Sequence, residues 1–200
     1  MKVGIVDYRM GNLASVSKAI EAAGGQAVVS DQVSQLESSD LVLLPGVGHF
    51  GAGMDNLTEL GLPEFLVDWA ERGRPLLGVC VGMQLLFDES DEGDARGLGI
   101  LKGRVARFEP SLKVPHMGWN TLRPQSDSEV FAEFDDRYFY FVHSYYCVPE
   151  DPAIVAATTG YGVEFASAVH DRNVYGVQFH PEKSSDDGLA LYRRLLEEIA

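Results

Sequence analysis

The sequence predicts an α/β fold of three layers, a mostly parallel central sheet with helices on both faces, to which antiparallel strands are added in the second half. Two features predict it. Over the first ninety residues, short apolar segments alternate with helical stripes, an order typical of parallel β-α units. From about residue 100 onward, short strand-like runs separated by turn residues dominate. At 200 residues, the chain is expected to form one domain spanning residues 1–200.

Apolar patterning defines the elements of the first half. Lys2–Asp7 predicts the first strand, and Gly11–Asn12 opens a helix that Gly24–Gly25 ends. Leu41–Leu44 and Pro75–Val79 are apolar throughout, which predicts strands covered on both faces. A further strand is expected near Gln26–Val29, and helices are expected through the stripe of Leu62, Phe65, Leu66 and Trp69 and over Val81–Phe87.

The second half predicts hairpins and a closing helix. Turn residues at Tyr161–Gly162 and Asp171–Asn173 separate apolar runs, as they do in antiparallel pairs. Ser184–Ala200 carries a helical stripe, and Ser184 with Asp187 is expected to cap that helix. The strands predicted here are Gly103–Phe108, Tyr138–Val142, Ile154–Thr159, Phe165–Val169 and Val174–Phe179.

Charge and composition narrow the classes of partner. The chain carries 16 Lys and Arg against 30 Asp and Glu, a formal net charge of −14. Because nucleic acids and anionic membranes repel a net anion, neither is expected to bind. The sequence has no export signal and no apolar run of about 18 residues. We therefore expect a cytoplasmic protein whose two cysteines, Cys80 and Cys147, are reduced. No metal site is expected, since no pair of His or Cys residues has metal-ligand spacing.

The segment Gly78-Val79-Cys80-Val81-Gly82 is the sharpest chemical signal in the chain. It lies between a predicted buried strand and a predicted helix, as the G-x-nucleophile-x-G elbow does, with Cys in place of Ser. The glycines leave room for a sharp turn. The helix N-terminus behind the turn stabilises a thiolate and supplies backbone N–H groups to an oxyanion. Cys80 is therefore a candidate nucleophile, and the alternative is a small buried apolar side chain.

A nucleophilic cysteine needs a base, and His180 in Gln178-Phe179-His180-Pro181-Glu182 is the best placed of five histidines. It ends a predicted strand, where ligands bind in open α/β sheets. Pro181 favours an extended His180, and residues two apart in an extended chain share a face. Glu182 is therefore expected beside the imidazole, where a carboxylate orients the ring and stabilises its cation. The alternative is a strand-end histidine with a solvated glutamate.

A glycine loop, Pro45-Gly46-Val47-Gly48-His49-Phe50-Gly51, comes after the predicted strand Leu41–Leu44. It contains G-x-G-x-x-G, but it does not come after the first strand. Glu71, at the spacing of a ribose contact, falls in a helical segment. A dinucleotide is therefore rejected, and no other cofactor is expected. The better use of the loop is to lend an N–H to an oxyanion, and the alternative is a plain turn.

These three segments together resemble the class I, or triad, glutamine amidotransferases. Further runs are similar, within that family, to the glutaminase subunits of imidazole glycerol phosphate synthase from histidine biosynthesis, and the resemblance extends nearly from end to end. The runs are PGVGHFGAGM at 45–54, GVCVGMQLLF at 78–87, PHMGWN at 115–120, FVHSYY at 141–146 and QFHPEKSS at 178–185.

The resemblance implies a glutaminase mechanism. Cys80 would attack the side-chain amide carbon of glutamine, His180 would pass the thiol proton to the leaving ammonia, and Glu182 would hold His180. The γ-glutamyl thioester would then be hydrolysed to glutamate. The oxyanion would be bound by the N–H of Val81 and by an N–H of the loop at Val47 or Gly48. The residues implied to hold glutamine are Gly46, Gln84, Ser144 and Tyr145, with Glu92 for its ammonium group.

The resemblance also implies a partner, a (β/α)8-barrel cyclase subunit in an expected 1:1 heterodimer. The cyclase would join the ammonia to a phosphorylated ribulosyl aminoimidazole carboxamide nucleotide, giving imidazole glycerol phosphate and an aminoimidazole carboxamide ribotide. The peptide at Gly46–Gly48 would gate the oxyanion site, so that the isolated subunit is weakly active. The positions placed at the interface are Asn12, Trp119, Tyr140 and Lys183, and for Trp119 the alternative is a partly buried structural aromatic.

Three other functions stay open on the sequence alone. A glutaminase subunit of another synthase, such as those making anthranilate, GMP or pyridoxal phosphate, would share Cys80, His180 and Glu182. A non-catalytic binding subunit could keep the fold, although the intact set of three side chains speaks against it. A cysteine hydrolase of γ-glutamyl peptides would work fully without a partner.

Overall fold

The computed structural model describes residues 1–93, 95–125 and 129–199. The helices are α1 Leu13–Ala22, α2 Val33–Leu36, α3 Phe50–Glu59, α4 Pro63–Glu71, α5 Val81–Leu85 and α6 Ser185–Ile199. The first strands are β1 Lys2–Val6, β2 Gln26–Ser30, β3 Leu41–Leu44, β4 Leu76–Val79, β5 Glu89–Ser90, β6 Ala95–Arg96 and β7 Gly103–Arg107. The remaining strands are β8 His116–Thr121, β9 Arg123–Pro124, β10 Tyr138–His143, β11 Tyr145–Pro149, β12 Val155–Tyr161, β13 Val163–Asp171 and β14 Val174–Val177.

The predicted α/β fold is confirmed. The large sheet runs in the order β2-β1-β3-β4-β14-β13-β11-β7-β5-β6, and β12 pairs with β13 beside this path. Strands β2, β1, β3, β4 and β14 are mutually parallel, whereas β14, β13, β12, β11 and β7 are joined by antiparallel pairings. Every residue of β3, β4 and β14 is buried. Because successive strand residues point to opposite faces, both faces of the sheet are covered there, as the apolar runs predict.

The second half contains a feature that the apolar pattern did not predict. β10 does not join the large sheet but pairs with β8 as a separate two-stranded antiparallel sheet, with Tyr140 opposite Trp119 and His143 opposite His116. The predicted hairpins at Tyr161–Gly162 and Asp171–Asn173 are both present, as β12–β13 and β13–β14. The elements that were not predicted are helices α2 and α3 and strands β5, β6, β8, β9 and β11.

The predicted cap of the last helix is wrong. The Ser184 hydroxyl instead accepts a hydrogen bond from the Tyr140 amide at 3.0 Å and donates to the His180 carbonyl at 2.6 Å. The Ser184 side chain therefore connects the start of α6 to β10 and does not cap the helix with Asp187. Ala200, the last residue of the predicted helix, lies outside the described residues.

Across the described part of the chain, no helix is long and apolar enough to cross a membrane.

Candidate active site

Strand topology brings the three chemical segments together. β3, β4 and β14 are adjacent and parallel, so their carboxyl ends lie at the same edge of the sheet. The glycine loop at Gly46–Gly48 comes after β3, Cys80 comes after β4, and His180 lies three residues beyond the end of β14. The predicted nucleophile, base and oxyanion loop therefore converge on one edge.

Cys80 lies on the sharp turn that its flanking glycines predict. Its φ is 55° and its ψ is −112°, a left-handed conformation that a non-glycine residue rarely adopts. A β-carbon at Gly82 would collide with the Leu44 carbonyl, and one at Gly78 would lie 2.7 Å from the Met83 amide. Cys80 itself is 2% exposed and precedes the first turn of α5, whose leading N–H groups have no acceptor within the helix.

His180 and Glu182 form the predicted pair. The imidazole Nδ1 lies 2.8 Å from a Glu182 carboxylate oxygen, and the two side chains are 1% and 2% exposed. The structural reason differs in part from the prediction. His180 is extended, with φ −107° and ψ 96°, but Pro181–Lys183 forms a single 3-10 turn that brings the carboxylate back to the ring. The contact was predicted correctly, whereas the extended chain ends at His180.

The charge of this pair is set by competing effects. Burial lowers the pKa of His180, but its interactions with the Cys80 sulfur and the Glu182 carboxylate outweigh burial and raise that pKa to about 10. Its Nε2 has no hydrogen-bond partner among the described residues. An imidazolium held by a carboxylate at Nδ1, with Nε2 free, can deliver a proton to a leaving group in the site.

A cavity of about 230 Å³ opens over Cys80. The residues predicted from the sequence that line it are Val47, Gly48, Cys80, Val81, Gln84, Glu92, Ser144 and Tyr145. Gly46, predicted to hold substrate, lies instead against α5: a β-carbon there would be 2.6 Å from the Gly82 amide and 2.7 Å from the Tyr8 hydroxyl.

Two side chains hold the ends of the glycine loop. Tyr8 donates from its hydroxyl to the Pro45 carbonyl at 2.5 Å, and burial raises the pKa of Tyr8, so it remains a neutral donor. At the other end, Glu92 accepts a 2.7 Å hydrogen bond from the amide of Phe50, the first residue of α3. Between these anchors Gly48 has a φ of 114°, which L side chains rarely adopt.

A buried pair of histidines adjoins the cavity. His143 Nδ1 lies 2.7 Å from the Tyr145 carbonyl, which can only accept, so this nitrogen carries the proton and Nε2 is an acceptor. His116 Nδ1, 3.0 Å from that Nε2, must therefore donate, and Asn120 donates to His116 Nε2 at 3.2 Å. Burial lowers the pKa of His116 to about 4 and that of His143 to about 3, so both rings are neutral.

Of the predicted interface positions, Trp119 lies in β8 and Tyr140 in β10. Trp119 is 50% exposed and packs edge-on against Tyr140, 6.0 Å between ring centroids. Asn12 and Lys183 are exposed, and Asn12 also caps α1 by accepting from the Ser15 amide. Two neighbours that the sequence did not single out, Met117 and Tyr138, are 62% and 58% exposed.

Several residues of the site were not predicted from the sequence, among them Tyr8, Gln178 and the pair His116–His143. Tyr8 and Gln178 share one signal, since each is a polar residue just beyond the carboxyl end of a parallel strand. In residues 1–93, 95–125 and 129–199, no group of three or more His, Cys, Asp or Glu side chains is arranged to hold a metal ion.

Comparison with known proteins extends the resemblance across the chain. The family model described as "Glutamine amidotransferase class-I" matches residues 5–197. A relative from Bacillus subtilis (strain 168), "Imidazole glycerol phosphate synthase subunit HisH", is 47% identical over 205 residues, covering 99% of this chain and 97% of that protein. The protein of the same name from Chlorobaculum tepidum is 47% identical, covering 98% and 99%.

Solved structures share the fold at lower identity. One titled "Crystal structure of glutamine amidotransferase" has a TM-score of 0.80 at 22% identity, covering 98% of both chains. "Structure of PurLQS from Thermotoga maritima" has a TM-score of 0.77 at 20% identity, covering 100% of this chain and 99% of the other.

Proposed function

This chain belongs to the class-I glutamine amidotransferase family, and on that premise we propose that it is the glutaminase subunit of a cytoplasmic imidazole glycerol phosphate synthase in histidine biosynthesis. Residues 1–200 would form a single amidotransferase domain. One observation carries the chemical part of the proposal: Cys80 and the buried His180–Glu182 pair lie just beyond adjacent parallel strands and meet at one sheet edge.

In the proposed reaction, the Cys80 thiolate attacks the side-chain amide carbon of glutamine. His180, protonated in the ion pair, delivers its proton to the leaving ammonia, and Glu182 keeps the ring oriented through the 2.8 Å hydrogen bond. A water deprotonated by His180 then hydrolyses the γ-glutamyl thioester to glutamate. Nothing in these steps requires a metal or another cofactor.

The oxyanion of each tetrahedral intermediate requires donors that are already in place. We assign this role to the N–H of Val81, at the start of α5, and to an N–H of the loop at Val47 or Gly48. All three residues line the cavity that contains Cys80. Gln84, Ser144 and Tyr145 would hold glutamine in the same cavity, and the Glu92 carboxylate would bind its ammonium group.

The ammonia would pass to a partner, a cyclase subunit with a (β/α)8 barrel in a 1:1 heterodimer. The β8–β10 sheet is suited to such a contact because it exposes Met117, Trp119 and Tyr138. The far end of β10 reaches the nucleophile, since the Cys80 sulfur lies 4.0 Å from the Val142 carbonyl. A partner docked on this sheet would lie close to the point where ammonia forms, and we propose that Asn12 and Lys183, both exposed, also contact it.

The partner would also control the oxyanion site. Gly46 packs tightly against α5, whereas Gly48 has a φ of 114° and the backbone freedom of glycine, so the loop peptide can reorient at Gly48. We propose that this peptide completes the oxyanion site only in the liganded complex. Such a gate would prevent the isolated subunit from wasting glutamine, and it would deliver ammonia before the solvent protonates it.

The test is glutamate production from glutamine by the full chain, alone and with a cyclase subunit carrying its nucleotide ligand. We expect strong stimulation by the liganded partner and loss of activity in Cys80→Ala. The matched control is Cys147→Ala, which removes the other buried thiol and should retain stimulation. Equal activity with and without the partner would contradict the gate and would favour a free-standing hydrolase.

A further inference from the structure

Gln178 lies beside the nucleophile but has no part in the proposed glutaminase reaction. In the parallel pairing of β14 with β4, Val177 lies opposite Val79, so the next residues, Gln178 and Cys80, are neighbours. The Gln178 side chain is completely buried, and its amide nitrogen lies 3.7 Å from the Cys80 sulfur. A fully buried amide directed at a reactive sulfur calls for a chemical explanation.

The surrounding contacts fix which end of this amide faces the sulfur. The Tyr145 carbonyl can only accept, so the Gln84 atom 3.0 Å from it is the amide nitrogen. That nitrogen also lies 3.0 Å from the other side-chain amide, so the atom it meets there must be the Gln178 oxygen. The Gln178 nitrogen, with its two hydrogens, therefore faces Cys80.

The Tyr145 carbonyl is itself held from a second side. It accepts from His143 Nδ1 at 2.7 Å as well as from Gln84, so both of its lone pairs are used. His143 accepts in turn from His116, and His116 accepts from Asn120. In this series of hydrogen bonds, each donor from β8 onward points toward the Tyr145 carbonyl. The side-chain amide of Gln178 therefore cannot rotate by 180° without breaking buried hydrogen bonds.

We propose that Gln178 is a further catalytic residue, which donates its side-chain N–H to the Cys80 thiolate, with Gln84 as the positioning residue that orients it. The proposal rests on the proposed function, in which Cys80 is the nucleophile. A hydrogen bond to an ionised acceptor is about twice as strong as one between neutral groups. The donor therefore stabilises the thiolate over the thiol, and the stabilisation ends when the sulfur is acylated and loses its charge.

The test is the pH dependence of Cys80 alkylation by the neutral reagent iodoacetamide in the full chain, read by peptide mass spectrometry so that Cys147 is scored separately. Gln178→Leu removes the donor at similar size. Gln178→Glu keeps an acceptor for the Gln84 amide but turns an oxygen toward the sulfur. On the acidic side of the profile, we expect the Cys80 rate to fall about tenfold in Gln178→Leu, the equivalent of ~1.4 kcal/mol, and further in Gln178→Glu.

The matched control is Ser167→Ala, which removes a buried hydroxyl from a neighbour of Gln178 that does not contact the Cys80 sulfur. Its pH profile of Cys80 alkylation should match that of the wild type. If Gln178 had only a structural role, its substitution would lower the melting temperature without shifting the pH profile of Cys80 alkylation. That result in Gln178→Glu would overturn the proposal. Should Gln178→Leu fail to fold, Gln178→Glu and Gln84→Met carry the test. If wild-type Cys80 were no more reactive than Cys147, that result would contradict the proposed function, in which Cys80 is the nucleophile, and it is distinguishable from a failure of the Gln178 proposal.

Discussion

The backbone carbonyl of Tyr140 accepts a 2.9 Å hydrogen bond from the backbone amide of His180. Tyr140 lies in β10, next to the exposed ring of Trp119, whereas His180 lies beside Cys80. Ser184 closes the contact, accepting from the Tyr140 amide and donating to the His180 carbonyl. The strand that carries the proposed partner surface is therefore bonded directly to the segment that carries the base.

Ser184→Ala tests whether this contact positions His180. The substitution leaves the part-buried Tyr140 amide without its side-chain acceptor, whereas the His180 carbonyl still accepts from the Lys183 amide, and it should cost about 1–3 kcal/mol in the free energy of unfolding. We expect kcat of the complex for glutamine to fall about tenfold, the equivalent of ~1.4 kcal/mol, with KM unchanged, because the base moves while the cavity is retained. Urea unfolding and steady-state kinetics measure both effects. Ser34→Ala, on the exposed face of α2, should change neither, and an unchanged kcat in Ser184→Ala would contradict the positioning role.

Glu92 has two predicted tasks that substitutions can separate. Its carboxylate accepts from the Phe50 amide, which anchors the glycine loop, and it is proposed to bind the ammonium group of glutamine. Glu92→Gln keeps an acceptor for the amide but loses the charge, so KM should rise about tenfold with little change in kcat. Glu92→Ala loses both, so kcat should fall as well.

The control for this pair is Glu89→Gln, in the same hairpin, where the carboxylate forms an exposed ion pair with Arg96 at 3.3 Å. This variant should leave the steady-state glutaminase kinetics of the complex unchanged. Equal kcat values in Glu92→Gln and Glu92→Ala would mean that the Phe50 contact does not support the loop.

The chemical centre was predictable because its parts lie directly after strands that the sequence identifies. The apolar runs at Leu41–Leu44 and before Cys80 correspond to β3 and β4, and adjacent parallel strands place the residues beyond their carboxyl ends at one edge of the sheet. The elbow glycines at 78 and 82 are required by contacts with neighbouring backbone, which only a residue without a β-carbon allows. Local rules therefore brought together Cys80, His180 and the glycine loop.

The β8–β10 sheet was not predictable in the same way. The buried face of β8 is formed by His116 and polar neighbours rather than by an apolar alternation. His116 is buried because it donates to His143 and stacks between Phe141 and Tyr161, at 5.0 and 4.0 Å. These contacts join segments distant in the sequence, so no local pattern reveals them. The position of Gln178, just beyond the end of β14, could be predicted from the sequence, but its contacts with Gln84 and Cys80 could not, because they also join distant segments.

Acid should destabilise the fold through His116 and His143. The unfolded chain takes up protons at these positions below about pH 6.5, whereas the folded chain does so only near pH 4 and pH 3. Between those limits the unfolded state binds more protons than the folded state. The free energy of unfolding therefore decreases as the pH is lowered, by up to ~1.4 kcal/mol per pH unit for each ring. His116→Phe keeps the stacking but removes one titrating group. It should be less stable than the wild type at pH 8, and the gap should narrow as pH falls to 4.

Urea unfolding across this pH range measures the gap. The control is Tyr161→Phe, which loses the hydrogen bond from its hydroxyl to the Lys113 carbonyl in the same cluster but removes no imidazole. Its gap from the wild type should stay constant with pH. A constant gap in His116→Phe would mean that this ring is not held neutral in the folded protein.

Trp119 should carry a large share of the binding energy for the partner. It is 50% exposed at the centre of a patch with Met117 and Tyr138, and large aromatic side chains at the centre of an interface contribute 2 kcal/mol or more when truncated. Trp119→Ala should therefore weaken the complex by about 30-fold in Kd, measured by calorimetric titration with the cyclase subunit.

Because Trp119 is not part of the cavity that contains Cys80, alkylation of Cys80 in the isolated chain should be unaffected. Val29→Ala removes an apolar side chain of 41% exposure on β2, an edge strand of the large sheet, and should leave Kd unchanged. Equal affinities of Trp119→Ala and Val29→Ala would place the partner on another surface.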